Sequence, residues 1–281
     1  MIRTAVLMTV YNRIHVTLMG LRSLYNAIEF LGNGYIFDIY MTDDGCTDGT
    51  AEAISVEFPS VIIVQGNGKL FWSGGMRKAW QAAIDSGENY DFYLWFNDDA
   101  DLYKDALLTM FKSSSIAGEN AIITGAFCDK NGKATYGGKF KNRTLVQPMG
   151  SITTVELMNG NLVLIPDVVF GKVGLVSNHY RHGFGDYDYG LRANKMGVQT
   201  YLSGTYVGKT ERHDELIPIY FSKDKTIFQR WGILHDPRNS PIIAFRFNIT
   251  YFGFKIALEE WVRSYLYLLF PKLYYKRHQL S

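Results

Sequence analysis

Residues 4–114 alternate between two hydrophobic periods, and this alternation is what most restricts the fold. TAVLMTVY (4–11), IFDIYMTDDG (36–45), SVIIVQG (60–66) and YDFYLWFN (90–97) are compact apolar runs rich in strand formers. RIHVTLMGLRSLYNAIEF, TDGTAEAISVEF, GGMRKAWQAAIDSG and YKDALLTMFKSS follow them in turn and read as helices. In the first of these, Leu18, Leu21, Leu24, Tyr25 and Ile28 recur at helical spacing. The second starts at a cap offered by Thr47 or Asp48, and the third is entered through its glycines. Alternation of this kind predicts an α/β protein with a mostly parallel sheet and helices on both faces. Burial on both faces explains why the strand runs are continuously apolar.

Each apolar run stops in polar residues: Tyr11 and Asn12, Asp43 and Asp44, Asn67, then Asp98, Asp99 and Asp101. Open α/β sheets bind ligands outside the carboxyl ends of their strands, so four such loops predict a binding rim. A carboxylate is costly to bury unless it is paired or bound to a cation. The acids of NDDAD are hard oxygen ligands suited to Mg2+ or Mn2+, above all where phosphate oxygens complete the shell. An acidic helix N-terminus complementing the helix dipole is the alternative for the same residues.

Beyond residue 120 the regularity weakens. AIITGAFCD, VELMNGNLVLIP and VQTYLSG read as strands, and DYDYGLRANKMG as a helix closed by Gly197. A boundary is expected near residue 220, and from residue 240 the chain is aromatic and basic. Residues 223–281 carry 10 Lys and Arg against 4 Asp and Glu, a net of +6 in a chain of net +2. The tail suits an interfacial helix on anionic lipid, or docking against the rest of the chain or a second subunit. The two cysteines, Cys46 and Cys128, exclude a disulfide framework and a zinc site built mainly from thiolates, and point to a reducing compartment. MIRTAVLMTVYNR lacks the features of a signal peptide, and no run reaches the ~18 apolar residues of a membrane span. The expected location is cytoplasmic, with peripheral contact at the inner face of the membrane as an option.

TVYNR, DDGCTDGT, GGMRKA and NDDAD occur in the order and approximate spacing of the nucleotide-binding half of family 2 glycosyltransferases, which have the GT-A fold. NGNLVLIP and FGDYDYGLR resemble the acceptor-side segments of that family, so the resemblance spans roughly residues 4–215. It is to the rhamnosyltransferase-like bacterial enzymes that build surface polysaccharides. It implies a Rossmann-like GT-A domain over residues 1–220, with a nucleotide-binding half to about 118 and an acceptor half after it, then a helical extension over 221–281.

The resemblance also implies roles. Thr9, Tyr11 and Asn12 stand where the first loop holds the nucleotide; Asp44 matches the acid that reads the base edge, and Asp43 shapes its loop. A carboxylate that accepts a base N–H suits uracil or thymine, and guanine N1 would also serve; a UDP- or dTDP-sugar is favoured. Trp72 lies in the segment that flanks base and ribose, with plain core packing its alternative, Arg77 could contact phosphate, and Asp98 begins the acidic loop. Asp99-Ala100-Asp101 matches the D-x-D element that holds the metal, and His213 is a further candidate ligand, with Arg212 its alternative for phosphate. Asn159 and Gly160 match the segment under the acceptor. Asp186 aligns with the general base, and Asp188 is its fallback; a capped helix start is the alternative for both. This chain departs from the family pattern at Arg77, Ala79, Asp98 and Gly185.

The implied reaction is inverting, metal-dependent transfer of a sugar to a saccharide or lipid-linked oligosaccharide, with no nucleic-acid partner and the oligomeric state open. A sugar nucleotidyltransferase would want a Gly-rich loop after the first strand, and TVYNRIHV has no Gly. A nucleotide-sugar or glycan-binding module without catalysis is the non-enzymatic alternative.

Overall fold

The computed structural model describes residues 1–211, 221–222, 224–236 and 240–277. The chain divides into two compact units, Met1–His179 with Gly185–Glu211, and Tyr180–Phe184 with Arg212–Ser281.

In the first unit, β1 (Ile2–Val10), β2 (Tyr35–Asp43), β3 (Ile62–Gln65) and β4 (Phe92–Phe96) alternate with α1 (Ile14–Leu31), α2 (Thr50–Glu57), α3 (Phe71–Asp85) and, after the short β5 (Asp101–Leu102), α4 (Ala106–Ile116). Then follow β6 (Ile122–Cys128), β7 (Gly138–Lys139), β8 (Thr153–Thr154), β9 (Leu157–Met158), β10 (Leu162–Pro166), α5 (Asp167–Val173), α6 (Gly185–Lys195) and β11 (Thr200–Lys209). The main sheet runs β3-β2-β1-β4-β10-β6-β11-β5, with β8 also on β11; β7 and β9 form a separate pair. Val10 pairs with Asp43 and Asp43 with Gln65, so the first three strands end level. That register brings the loops after them to one rim.

Side-chain alternation along the strands feeds two cores. Val6, Met8 and Val10 of β1 pack with Leu21 and Leu24 of α1, Ile54 of α2 and Met110 of α4. Ala5 and Leu7 turn the other way, among Met76, Trp80 and Ala83 of α3, Val169 of α5 and Tyr189 of α6. The expected α/β architecture with helices on both faces is therefore present, and the sheet is mostly parallel.

Two features differ from the expectations. VELMNGNLVLIP is not one strand: Asn159-Gly160-Asn161 separates β9 from β10, and β10 runs antiparallel to both β4 and β6. An apolar run that suits a doubly covered strand carries no information about direction. The helix starts also move. α2 is capped by Gly49 in the left-handed conformation, while Asp48 accepts from Thr50 N at 3.1 Å and from Ile14 N at 3.1 Å. α3 begins at Phe71, before its glycines.

In the second unit, α7 (Ile227–Leu234) starts in a capping box of Thr226 and Gln229, and α8 (Pro241–Tyr251) starts at a proline. α9 (Phe254–Leu269) and α10 (Pro271–Arg277) follow. Buried Phe247 stacks on Phe184 at 4.5 Å, Trp231 meets Tyr265 at 5.9 Å, and Phe221 packs on Tyr267 and Tyr274.

Candidate active site

The first and second loops of the rim are clipped together by side chains that the backbone requires. Asn12 has φ 50°, a conformation asparagine tolerates better than most residues. Its Oδ1 accepts from Thr47 N at 2.7 Å. Asp43 Oδ1 accepts from Cys46 N at 2.7 Å. Burial and the bond to Asp43 push the Cys46 thiol up to about 12, so it stays protonated. Tyr11 is 55% exposed on the same rim, and Thr9 is half-buried below it.

Asp44 is buried and accepts three backbone amides: Gly68 N at 2.9 Å on Oδ1, and Leu70 N and Phe71 N at 2.9 Å on Oδ2. An ionised carboxylate can accept about four such bonds, so Asp44 spends most of its capacity shaping the loop that enters α3. Phe71, at the end of that loop, has φ 53°, and these charge-assisted bonds hold its strained backbone in place.

The three acids of the β4–β5 turn occupy different environments. Asp98 is 1% exposed, paired with Arg13 on Oδ1 and accepting from Thr17 Oγ1 at 2.8 Å on Oδ2. Burial pushes its carboxyl up to about 6; Asp99 adds to the rise and Arg13 opposes it. Asp98 thus anchors the turn to α1. Asp99 stands nearer solvent, with Arg13 Nη1 at 3.3 Å from its Oδ2, and Asp101 is exposed, paired along the backbone with Lys209 of β11. Among the described residues no three His, Cys, Asp or Glu side chains are grouped to hold a metal. Asp99 and Asp101 carry hard oxygen donors of the kind that suits Mg2+ or Mn2+, ions that keep open positions for water and substrate phosphate. His213 and Arg212 lie outside the described residues.

A second constellation forms around Trp72. Its Nε1 donates to Asn97 Oδ1 at 2.7 Å, which ties it to the residue just before the acidic run. A Cβ on Gly160 would lie 2.4 Å from Trp72 Cζ2, and one on Gly185 would lie 3.3 Å from its Cζ3 and 2.2 Å from Ser73 Oγ. Glycine at both positions is what lets the indole sit between these two loops. Gly160 N donates to Asp186 Oδ2 at 3.1 Å, and Tyr187 N donates to Oδ1 at 2.8 Å. Burial raises the Asp186 carboxyl above the ordinary aspartate range, against these two amides and the charge of Lys139. A half-buried carboxylate poised in this way can accept a proton.

Asp188 is buried against Arg192, whose Nε lies 2.9 Å from Asp188 Oδ2 and whose other nitrogens donate to the carbonyls of Val173 and Leu175. That geometry joins α6 to the end of α5. Asn159 N donates to Gly137 O, and Asn159 Oδ1 is buried without a hydrogen-bond partner among the described residues. Arg77 is half-buried in α3, with Nη1 likewise without one.

Trp72, Gly160 and Asp186, expected in three separate segments, are therefore in contact or hydrogen-bonded sequence. Sequence reading missed Arg13, which stood inside TVYNR without a role, and Asn97, which ends the fourth apolar run. It also missed Lys139, whose Nζ lies 2.9 Å from the Tyr187 hydroxyl and whose two-residue strand has no periodic signal.

The mostly parallel α/β sheet, with acids at the ends of its strands, is the GT-A fold. The family model for glycosyl transferase family 2 matches residues 5–178, and the chain belongs to that family. No curated protein matches it by sequence. TarS 1–349 from S. aureus, solved with UDP-GlcNAc, aligns at TM-score 0.56 and 13% identity, over 94% of this chain and 79% of that one. GalNAc-T7, solved with UDP, GalNAc and Mn2+, aligns at 0.57 and 12%, over 92% and 56%. The mannosyltransferase PcManGT from Pyrobaculum calidifontis, solved with GDP-Man and Mn2+, aligns at 0.54 and 14%, over 93% and 73%. The chain spans only 42% of a longer TarS chain. At these identities the likeness is one of fold.

Proposed function

We propose that this chain transfers a sugar from a UDP- or dTDP-sugar to a hydroxyl of a saccharide or lipid-linked oligosaccharide, with inversion, in the assembly of a bacterial surface polysaccharide. A rhamnosyltransferase-like activity is the favoured form. The observation that carries the reading is the Asp186 carboxylate, fixed by the amides of Gly160 and Tyr187 and raised above the ordinary aspartate range by burial. In the reaction Asp186 takes the proton of the acceptor hydroxyl as its oxygen attacks the anomeric carbon. The bond from that carbon to the diphosphate oxygen breaks on the opposite face, and the nucleoside diphosphate leaves with the electron pair. A single displacement of this kind inverts the anomeric centre.

Asp99 and Asp101 are the residues that would hold Mg2+ or Mn2+, with His213 the further candidate. When bound, such an ion supplies charge neutralisation at the diphosphate. GalNAc-T7 and PcManGT, both solved with Mn2+, support a divalent metal. Asp44, Asp43, Asn12, Tyr11 and Thr9 form the nucleoside side of the rim, Arg77 is the candidate for phosphate, and Asn159 and Gly160 lie under the acceptor. Asp98 acts through the turn it anchors, and Asp188 through α6. The acceptor's lipid would bring the protein to the cytoplasmic face of the membrane.

The test is Asp186→Asn. Transfer should fall by about 10²–10⁴-fold while donor affinity is retained. Unchanged transfer would sink the base assignment.

A further inference from the structure

α9 buries part of its surface and exposes a long apolar stripe. Ala257, Tyr267 and Leu268 are buried. Phe254, Leu258, Trp261, Val262, Leu266 and Leu269 recur at intervals that place them along one stripe of the helix, and all are between 37% and 60% exposed. α7 adds Phe228 at 86% and Trp231 at 51%. Among the described residues, 14 of the 27 exposed large apolar side chains fall within residues 227–273. A groove of about 470 Å³ on the same unit is lined by Leu258, Val262, Leu266 and Leu273 together with Glu259, Arg263 and Arg277.

The charge around the patch decides what covers it. Lys255, Lys272 and Arg277 are exposed, with Glu259 the exposed acid on α9. A two-fold pairing of copies would set the patch against itself and bring its cations together. An anionic bilayer satisfies both the apolar face and the cations. α9 has 16 residues, and no described helix is long and apolar enough to cross a membrane, which fits a helix lying in the interface.

We propose that the exposed face of α9, with Phe228 and Trp231 of α7, docks on an anionic phospholipid surface, Lys255, Lys272 and Arg277 meeting the head groups. This gives the membrane contact of the proposed function its surface and rests on that reading for its use. It involves no residue of the candidate active site.

The test is co-sedimentation of the full chain with phosphatidylcholine vesicles, with and without about 30% phosphatidylglycerol, at low and high salt. The expected result is binding to the anionic vesicles that weakens tenfold or more without phosphatidylglycerol or in high salt. Leu258→Glu with Leu266→Glu should reduce it at least as much. Lys255→Glu with Lys272→Glu, which spares the apolar face, should do the same while leaving the far-UV circular dichroism unchanged. No binding to anionic vesicles, or binding that both double variants retain, overturns the proposal. So does self-association abolished by the leucine pair in a protein that ignores vesicles. Nucleotide-sugar binding measured on the same samples separates the two claims: donor binding without vesicle binding removes only this surface, and the reverse removes only the catalytic reading.

Discussion

Gly160→Ala tests whether Trp72 couples the acidic turn to Asp186. Gly160 is not in the left-handed region, so alanine adds no backbone strain of its own, and its effect should be steric. The new Cβ would stand 2.4 Å from Trp72 Cζ2 and 2.9 Å from Cη2. Carbon atoms pack near 3.5–4.0 Å, so the indole must retreat by about 1 Å. That retreat strains the 2.7 Å bond from Trp72 Nε1 to Asn97 and disturbs the amide that donates to Asp186. Overpacking of this kind costs about 1–3 kcal/mol of stability. A displacement of about 1 Å at a catalytic group can cost about 10²-fold in rate. Urea unfolding of the wild type, Gly160→Ala, Trp72→Ala and the double variant closes a cycle. With the indole gone, the added methyl should cost almost nothing, so the double variant should be about as stable as Trp72→Ala alone. The reasoning is refuted if Gly160→Ala is neutral in the wild-type background, or if the two costs add to within about 0.5 kcal/mol.

Because Asp186 must be ionised to accept a proton and its carboxyl is raised, kcat should fall as pH drops through a value above the ordinary 3.8, and a pH–rate profile whose acid limb lies at or below 3.8 would contradict this. Arg13→Ala leaves Asp98 buried without its cation, held by the Thr17 hydroxyl. Since that carboxyl titrates near 6, the loss of stability should be small at pH 5 and grow to about 3 kcal/mol above pH 7, as urea unfolding at the two pH values would show. Asp44→Asn weakens three charge-assisted bonds to the loop entering α3 and should cost about 3 kcal/mol with a parallel loss of nucleotide affinity, measurable by unfolding and calorimetry.

The alternating strands and helices of the first half were legible because their signals are local. Val6 and Leu7 face opposite helices, so the whole run of β1 is apolar, and the run stops where the rim begins. The acids at Asp44 and Asp99 stand out against such runs. What they touch is a matter of tertiary structure: nothing in DDG shows that Asp44 accepts the amides of residues 68, 70 and 71, or in NDDAD that Asp98 turns inward to Arg13 while Asp101 faces solvent. Trp72 was read with the nucleotide loop from its neighbours in sequence; its close approach to Gly160 and Gly185, far along the chain, leaves no local signal. The direction of β10 was hidden for a simpler reason, since LVLIP would pack equally well either way.

The central claim is that the Asp99 rim binds an activated sugar. Calorimetric titration with UDP- and dTDP-sugars, with and without Mn2+, measures this for the wild type and Asp99→Asn. At least one donor should bind the wild type in the presence of metal, and Asp99→Asn should lose this binding while keeping its fold. Failure of every donor to bind, with and without Mn2+, or equal binding by Asp99→Asn, would contradict it.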